Sequence, residues 1–375
     1  MASCVALSAL QLLTGCASSG DVRADWHVLA PDQLPSPAAS LAFPDAVLGA
    51  SAQQPWLIGG VIVTPQPATN EGLVVTNEQR QVAIWEAATP RGRWDLAGMK
   101  AVPGRDGPFE TVLYFAKRDG TSVAFGSRAS PTEGYPRPST WTRTGTGWQE
   151  ALERRELFGG PNIIGFGGMA AGPHGFYIAG TWSDSHGHAE ASVWSSADGS
   201  AWARVSDPSF EGTRGETPIG AGVADNKNGL LLIATIEAPT PQSPGAEHGG
   251  AWYSQDGRFW TRLNPTTRTQ STFGAVVPAG EGWLVAGTVG TGSNRRAAVW
   301  TVGGRPNLGK PSLLPGAAAA DSKITAAWSS ATRLYLAGVA GGRPALWSPR
   351  STTAESRAAG PGCDRPVSLS RTFSG

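Results

Sequence analysis

Two histidines, two residues apart and flanked by carboxylates, have the means to do chemistry. Asp184-Ser185-His186-Gly187-His188-Ala189-Glu190 gathers imidazoles and carboxylates in one short loop. That combination can hold Zn or another divalent metal through imidazole nitrogens and carboxylate oxygens. Glu247-His248 stands in the corresponding loop of the next repeat, so His186, His188 and His248 are candidate metal ligands. A polar, solvated loop has the same composition, and no cofactor is otherwise required. Trp182, beside this loop and out of phase with the other tryptophans, is a candidate ligand contact, because an exposed aromatic can stack on a sugar or a partner protein. His174, in Pro173-His174-Gly175, reads as a turn residue, and His27 as a strand residue. There is no Walker-type loop, dinucleotide fingerprint or nucleophile elbow. Gly165-Phe166-Gly167-Gly168 is glycine-rich but sits inside a strand pattern.

The elements that must position these residues form a repeat. Its unit is an apolar strand with small residues, a second strand ending Ala-Gly or similar, a variable loop, an Ala/Val-x-Trp strand, a tight turn and a Trp-led strand. The clearest copy spans 163–205. Trp85, Trp141, Trp194, Trp252, Trp300 and Trp347 mark the third strand. Their spacing of roughly 50 residues, with four strands per unit, is the pattern of a β-propeller blade. The expected fold is all-β, a six-bladed propeller of four-stranded blades. The last copy lacks a fourth strand, and Asp25-Trp26-His27-Val28-Leu29 fits that strand's pattern. The N-terminal strand is therefore expected to close the ring beside 345–348, which removes exposed edges. A seven-bladed ring, using 41–50 or the C-terminal tail, is the alternative. The long second-to-third-strand segments 64–81, 127–139, 181–190 and 238–249 share a face with the blade-to-blade connections. That face is expected to carry ligand-binding residues.

Two turns carry a motif: Ser196-Ala197-Asp198-Gly199-Ser200-Ala201-Trp202 and Ser254-Gln255-Asp256-Gly257-Arg258-Phe259-Trp260. Both resemble the Asp-box (BNR repeat) of sialidase-like propellers, each one residue shorter than usual. Asp-Gly suits a hairpin, since Gly tolerates positive φ and the Asp carboxylate accepts local backbone N–H bonds. Ser196, Asp198, Gly199, Trp202, Ser254, Asp256, Gly257 and Trp260 are accordingly read as structural. Resemblance to sialidases also implies an arginine triad, a Tyr nucleophile with a Glu, and an Asp acid around the central funnel. The innermost strands instead read IIGFGGMA, PIGAGVA, TFGAVV, ITAAW and TVLYFA, with Tyr114 as their phenol. An Arg-Ile-Pro element near the first blade is absent. Arg91, Arg93 and Glu190 are the loop groups nearest to a substitute. Glycoside hydrolysis needs paired carboxylates or an equivalent, so no catalytic residue is assigned and sialidase turnover is not expected.

Leu12-Leu13-Thr14-Gly15-Cys16 ends a short apolar run that has the length of a signal-peptide core and is too short to span a bilayer. It resembles the lipobox of bacterial lipoproteins. The resemblance implies cleavage before Cys16, lipid (palmitate-type) attachment to that thiol, and Ala17-Ser18-Ser19-Gly20 as a tether. Residues 1–16 lack Lys and Arg, so the basic n-region is missing and a start upstream of Met1 is expected. With Cys4 removed and Cys16 lipidated, Cys363 has no partner, which excludes a disulfide scaffold. With 30 basic and 29 acidic residues, net charge is +1, and nothing electrostatic favours nucleic acid. The expected organisation is a signal peptide at 1–15, lipidated Cys and tether at 16–25, a propeller at 26–350 and a flexible tail at 351–375. The expected function is a ligand- or protein-binding module, more a binder than an enzyme, anchored by lipid in the bacterial cell envelope and facing outside the cytoplasm. Its expected partners are the membrane and a glycan or protein ligand. The alternatives are a sialidase-like glycoside hydrolase and a metal-dependent surface enzyme using His186 and His188.

Overall fold

The computed structural model describes residues 11–14, 25–28, 34–37 and most of 40–347. Outside the described residues lie 1–10, 15–24, 348–375, the segments 49–54, 66–77, 103–108, 130–135, 239–245, 264–269 and 315–321, and a few shorter ones. Two short strands come first, β1 (Gln11–Thr14) and β2 (Asp25–Val28). Beyond that two-stranded pair, six larger sheets are present among the described residues, and the first holds β3 (Leu41–Leu48), β4 (Trp56–Pro65), β5 (Glu78–Ala87) and β6 (Asp95–Leu96). β7 (Gly98–Lys100) joins the second sheet, made of β8 (Phe109–Arg118), β9 (Thr121–Ala129), β10 (Pro136–Thr144) and β11 (Gly147–Glu150), and runs parallel to β11. A one-turn helix, α1 (Arg155–Phe158), leads to the third: β12 (Ile163–Gly172), β13 (Gly175–Ser183), β14 (Ala189–Ser196) and β15 (Ala203–Val205). The fourth is β16 (Thr217–Asn226), β17 (Gly229–Glu237), β18 (Glu247–Ser254) and β19 (Thr261–Leu263). The fifth is β20 (Ser271–Ala279), β21 (Gly282–Val289), β22 (Arg296–Val302) and β23 (Ser312–Leu313). The sixth has three strands, β24 (Lys323–Ser329), β25 (Leu334–Ala340) and β26 (Arg343–Trp347). Strands within each repeat run antiparallel in chain order, and the first strands of successive sheets pack together. This is the all-β architecture of a β-propeller.

One expectation is overturned. β2 does not lie beside β26; it pairs with β1, with Leu13 opposite Trp26. Loop-closure entropy favours this local pairing over one that must close nearly the whole chain. The segment considered for a seventh blade, 41–50, supplies β3, the innermost strand of the first sheet. The C-terminal tail lies outside the described residues.

The repeat has a physical core. Every innermost strand carries a β-bulge, between Pro44 and Ala46, Val112 and Tyr114, Phe166 and Gly168, Gly220 and Gly222, Phe273 and Ala275, and Ile324 and Ala326. A bulge sharpens the local bend and twist of the strand. Opposite it, the second strand places Gly60, Gly126, Gly180, Ala234, Gly287 or Gly338. A Cβ on Gly180 would stand 2.5 Å from the Gly165 carbonyl oxygen, and one on Gly126, Gly287 or Gly338 would strike Thr111, Thr272 or Lys323. In those four sheets the Gly of the second-strand signature is a steric requirement of the close approach at the bulge, whereas the fourth sheet accommodates the Cβ of Ala234 there.

The third-strand tryptophans are all buried. Three of them donate an indole N–H to the segment entering their own sheet: Trp85 to Pro35 O (2.8 Å), Trp194 to Leu157 O (2.7 Å) and Trp252 to Ser209 O. Phe158 and Phe210 pack against Trp194 and Trp252 from those segments. The apolar core is therefore distributed between adjacent sheets, with Val, Ile, Leu and Trp from each pair forming one cluster.

Candidate functional site

The two Asp-Gly turns close as the motif demands. Asp198 Oδ1 accepts the N–H groups of Ser200 (2.8 Å) and Ala201 (3.1 Å), while Ser196 Oγ accepts that of Gly199 (2.8 Å). Gly199 has φ 81°, a conformation L side chains rarely adopt. These backbone donors hold the Asp198 carboxyl down at about 2. Asp256 repeats the pattern with Arg258, Phe259 and Ser254, and backbone N–H bonds again lower its carboxyl. Trp202 and Trp260 are buried behind these turns. The turns also dock on the preceding sheet: Thr142 Oγ1 donates to Gly199 O at 3.3 Å, and the Tyr177 ring lies against Gly257.

At this same end of the sheets lies a cavity of about 510 Å³. His174 reaches it from the β12–β13 turn, Lys227 and Asn228 from the β16–β17 turn, and Glu281 from the β20–β21 turn. Tyr253, Gln255 and Gly304 complete the lining from the ends of β18 and β22. Three consecutive sheets therefore build it. Lys227 Nζ meets Glu281 Oε1 at 2.6 Å, and Asn228 Nδ2 donates to Glu281 O at 2.6 Å. Lys227 and Asn228 hold the Glu281 carboxyl below its ordinary value. Tyr253 donates its hydroxyl to Asn228 O (2.8 Å) and meets Trp283 edge to face.

Behind His174 is a buried carboxylate. Asp225, at the end of β16, has a side chain 0% exposed, while that of His174 is 27% exposed. Asp225 Oδ1 lies 2.7 Å from His174 Nδ1, and Oδ2 accepts the His174 backbone N–H at 2.9 Å. Tyr177 donates its hydroxyl to His174 O at 3.2 Å. Burial raises the Asp225 carboxyl, against the hydrogen bonds from His174 that lower it. Burial, reinforced by Asp225, pushes the Tyr177 phenol up to about 12. His174 is thus more than the turn residue its Pro-His-Gly context indicated. The available signal was Asp225-Asn226, a polar pair closing an otherwise apolar inner strand.

The remaining sequence candidates are placed as follows. His188 Nδ1 stands 3.2 Å and His186 Nδ1 3.6 Å from Asp184 Oδ2, both on exposed rings. His248 faces Glu216 at 3.7 Å instead, and Arg262 shares that carboxylate at 3.0 Å. Burial lowers His248. The three histidines are not brought together, and among the described residues no group of three or more His, Cys, Asp or Glu is placed to hold a metal ion. The reason is that each loop folds on its own partner, Asp184 for one and Glu216 for the other. Trp182 is half-buried beneath the Arg204 guanidinium, 4.6 Å from its ring centre, and Arg204 pairs with Glu190 at 2.6 Å. Tyr114 donates its hydroxyl to Phe166 O at 3.0 Å, joining two inner strands. Arg93 pairs with Asp95 at 3.0 Å on the surface. Cys16 and Arg91 lie outside the described residues, as do 66–77, 130–135 and 239–245 of the long-loop face.

No protein-family model matches the chain, and no curated protein is similar to it in sequence. Solved structures are similar in chain course. The polysaccharide lyase Uly1 is 10% identical, with 92% of this chain and 97% of that one covered at a TM-score of 0.44. A putative glycoside hydrolase from Parabacteroides distasonis is 10% identical over 82% and 86% of the two chains, at 0.41. A glycosyl hydrolase from Bacteroides ovatus is 11% identical over 72% and 85%, at 0.34. No residue role is transferred from them.

Proposed function

We propose that this chain is a lipid-anchored, extracytoplasmic β-propeller that binds a hydroxyl-rich ligand of glycan type at the turn-face cavity. The observation that carries the reading is the cavity's lining. It combines amides (Asn228, Gln255), a phenol (Tyr253), an imidazole (His174) and one ion pair (Lys227–Glu281), contributed by three sheets. Binding sites place a few polar groups around an aromatic surface on a rigid frame. Hydrolysis of a glycosidic bond calls for two carboxylates flanking it. Among the described lining residues Glu281 is the sole carboxylate, and it is engaged by Lys227, which favours binding over glycoside hydrolysis. Anchoring rests on the Leu13-Thr14-Gly15-Cys16 pattern, and a lipid chain there would hold the propeller at the envelope surface. Calorimetric titration of the full chain with envelope glycan fragments tests the reading. Saturable heat whose affinity falls in Tyr253→Ala supports it; the absence of heat with every fragment rejects it.

A further inference from the structure

Resting on that cavity, we propose that His174, held by Asp225, is a general base that hydrolyses an acyl ester carried by the bound polyol. A base needs a fixed ring, one nitrogen anchored and the other free to meet a proton. Here Nδ1 is anchored by a carboxylate with no solvent exposure, at 2.7 Å. The backbone on either side is fixed too, through the His174 N–H to Asp225 and the His174 carbonyl to Tyr177. With Nδ1–H donated to Asp225, Nε2 carries the lone pair on a side chain that lines the cavity. A merely structural stitch between these sheets does not require an imidazole. The neighbouring junction makes its own with an amide, Asn226 Nδ2 to Gly282 O at 2.8 Å.

The substrate class follows from what surrounds the ring. One positioned base suits addition of water to a carbonyl, whereas acetal cleavage calls for a second carboxylate. Nε2 takes a proton from water as the water oxygen bonds to the ester carbonyl carbon. The carbonyl π electrons move to its oxygen. On collapse the carbon–alkoxide bond breaks, and the imidazolium returns its proton to the leaving alkoxide. Ester and water become carboxylic acid and alcohol, with no other reactant. Asp225 is the positioning residue, keeping the tautomer that leaves Nε2 unprotonated.

The test uses the full chain with 4-nitrophenyl acetate and a peracetylated glycan fragment. Turnover is expected, falling at least about 100-fold in His174→Gln and unchanged in His186→Gln. Asp225→Asn is expected to lower kcat while KM and the urea unfolding midpoint are kept; a fall in kcat matched by a lowered midpoint overturns the positioning role. In ¹⁵N spectra of the imidazoles, His174 is expected as the Nδ1–H tautomer. Absence of turnover, or turnover indifferent to His174→Gln, overturns the proposal. Glycan binding without turnover sinks this inference alone; absence of both sinks the binding reading with it.

Discussion

Asp198 gains its role from geometry that three nearby residues, Ser196, Ser200 and Ala201, supply. Its carboxylate gathers two backbone N–H groups and the Ser200 hydroxyl (2.8 Å) on an exposed turn. Hydrogen bonds to charged acceptors are worth about 1.5–3 kcal/mol each when buried and less in water. Asp198→Ala is therefore expected to destabilise the protein by about 1–3 kcal/mol in urea unfolding. Its folded carboxyl is depressed, so the stabilisation is complete above the ordinary value of 3.8 and fades as pH falls towards about 2. The gap between wild type and Asp198→Asn should narrow over that interval; a constant gap contradicts the assignment. This site was legible because Ser, Asp, Gly and Trp fall in one turn. The His174–Asp225 pair was not, because its members are 51 residues apart and meet only when the end of β16 passes the β12–β13 turn.

At the scale of the element, the bulge and the glycine facing it form one unit. Gly287→Ala would drive a Cβ into the Thr272 carbonyl, whereas Gly165→Ala enters open space. The first should cost about 1–3 kcal/mol by overpacking, and the second under about 1 kcal/mol, read as the shift in urea midpoint. Equal costs would show that the bulge does not dictate the glycine. All six marker tryptophans fall on third strands, because a large apolar ring at a fixed phase records the core contact directly. The bulges themselves were invisible, since an extra residue changes no composition. The histidine loops misled for a related reason. His-x-His spacing shows that two rings share a loop, but their common partner, Asp184, and the separate pairing of His248 with Glu216 are set by the fold.

For the whole molecule, β2 pairs with β1 rather than with the last sheet in the uncleaved chain, and cleavage before Cys16 would remove β1 and leave β2 without that partner. Deleting residues 11–28 should leave the urea midpoint of the six sheets unchanged. A large drop would revive closure by this strand. Replacing Cys16 by Ser in a chain with its native start should release the protein from membranes or leave it unprocessed, judged by fractionation. Retention after correct cleavage would exclude lipid anchoring. The order of sheets could be read from periodicity, while the proposed ligand face differs from the long-loop face that the sequence favours, much of which lies outside the described residues. Long loops draw attention to one end, while among the described residues a cavity arises from short turns of three sheets at the other. The most direct test of that choice is calorimetric titration with one glycan fragment against wild type, Tyr253→Ala and His188→Ala. Tyr253 lines the turn-face cavity, and His188 is exposed on the long-loop face. Affinity should fall at least about tenfold for Tyr253→Ala, the equivalent of about 1.4 kcal/mol, and stay unchanged for His188→Ala. The opposite ranking would place the ligand on the long-loop face and contradict the account.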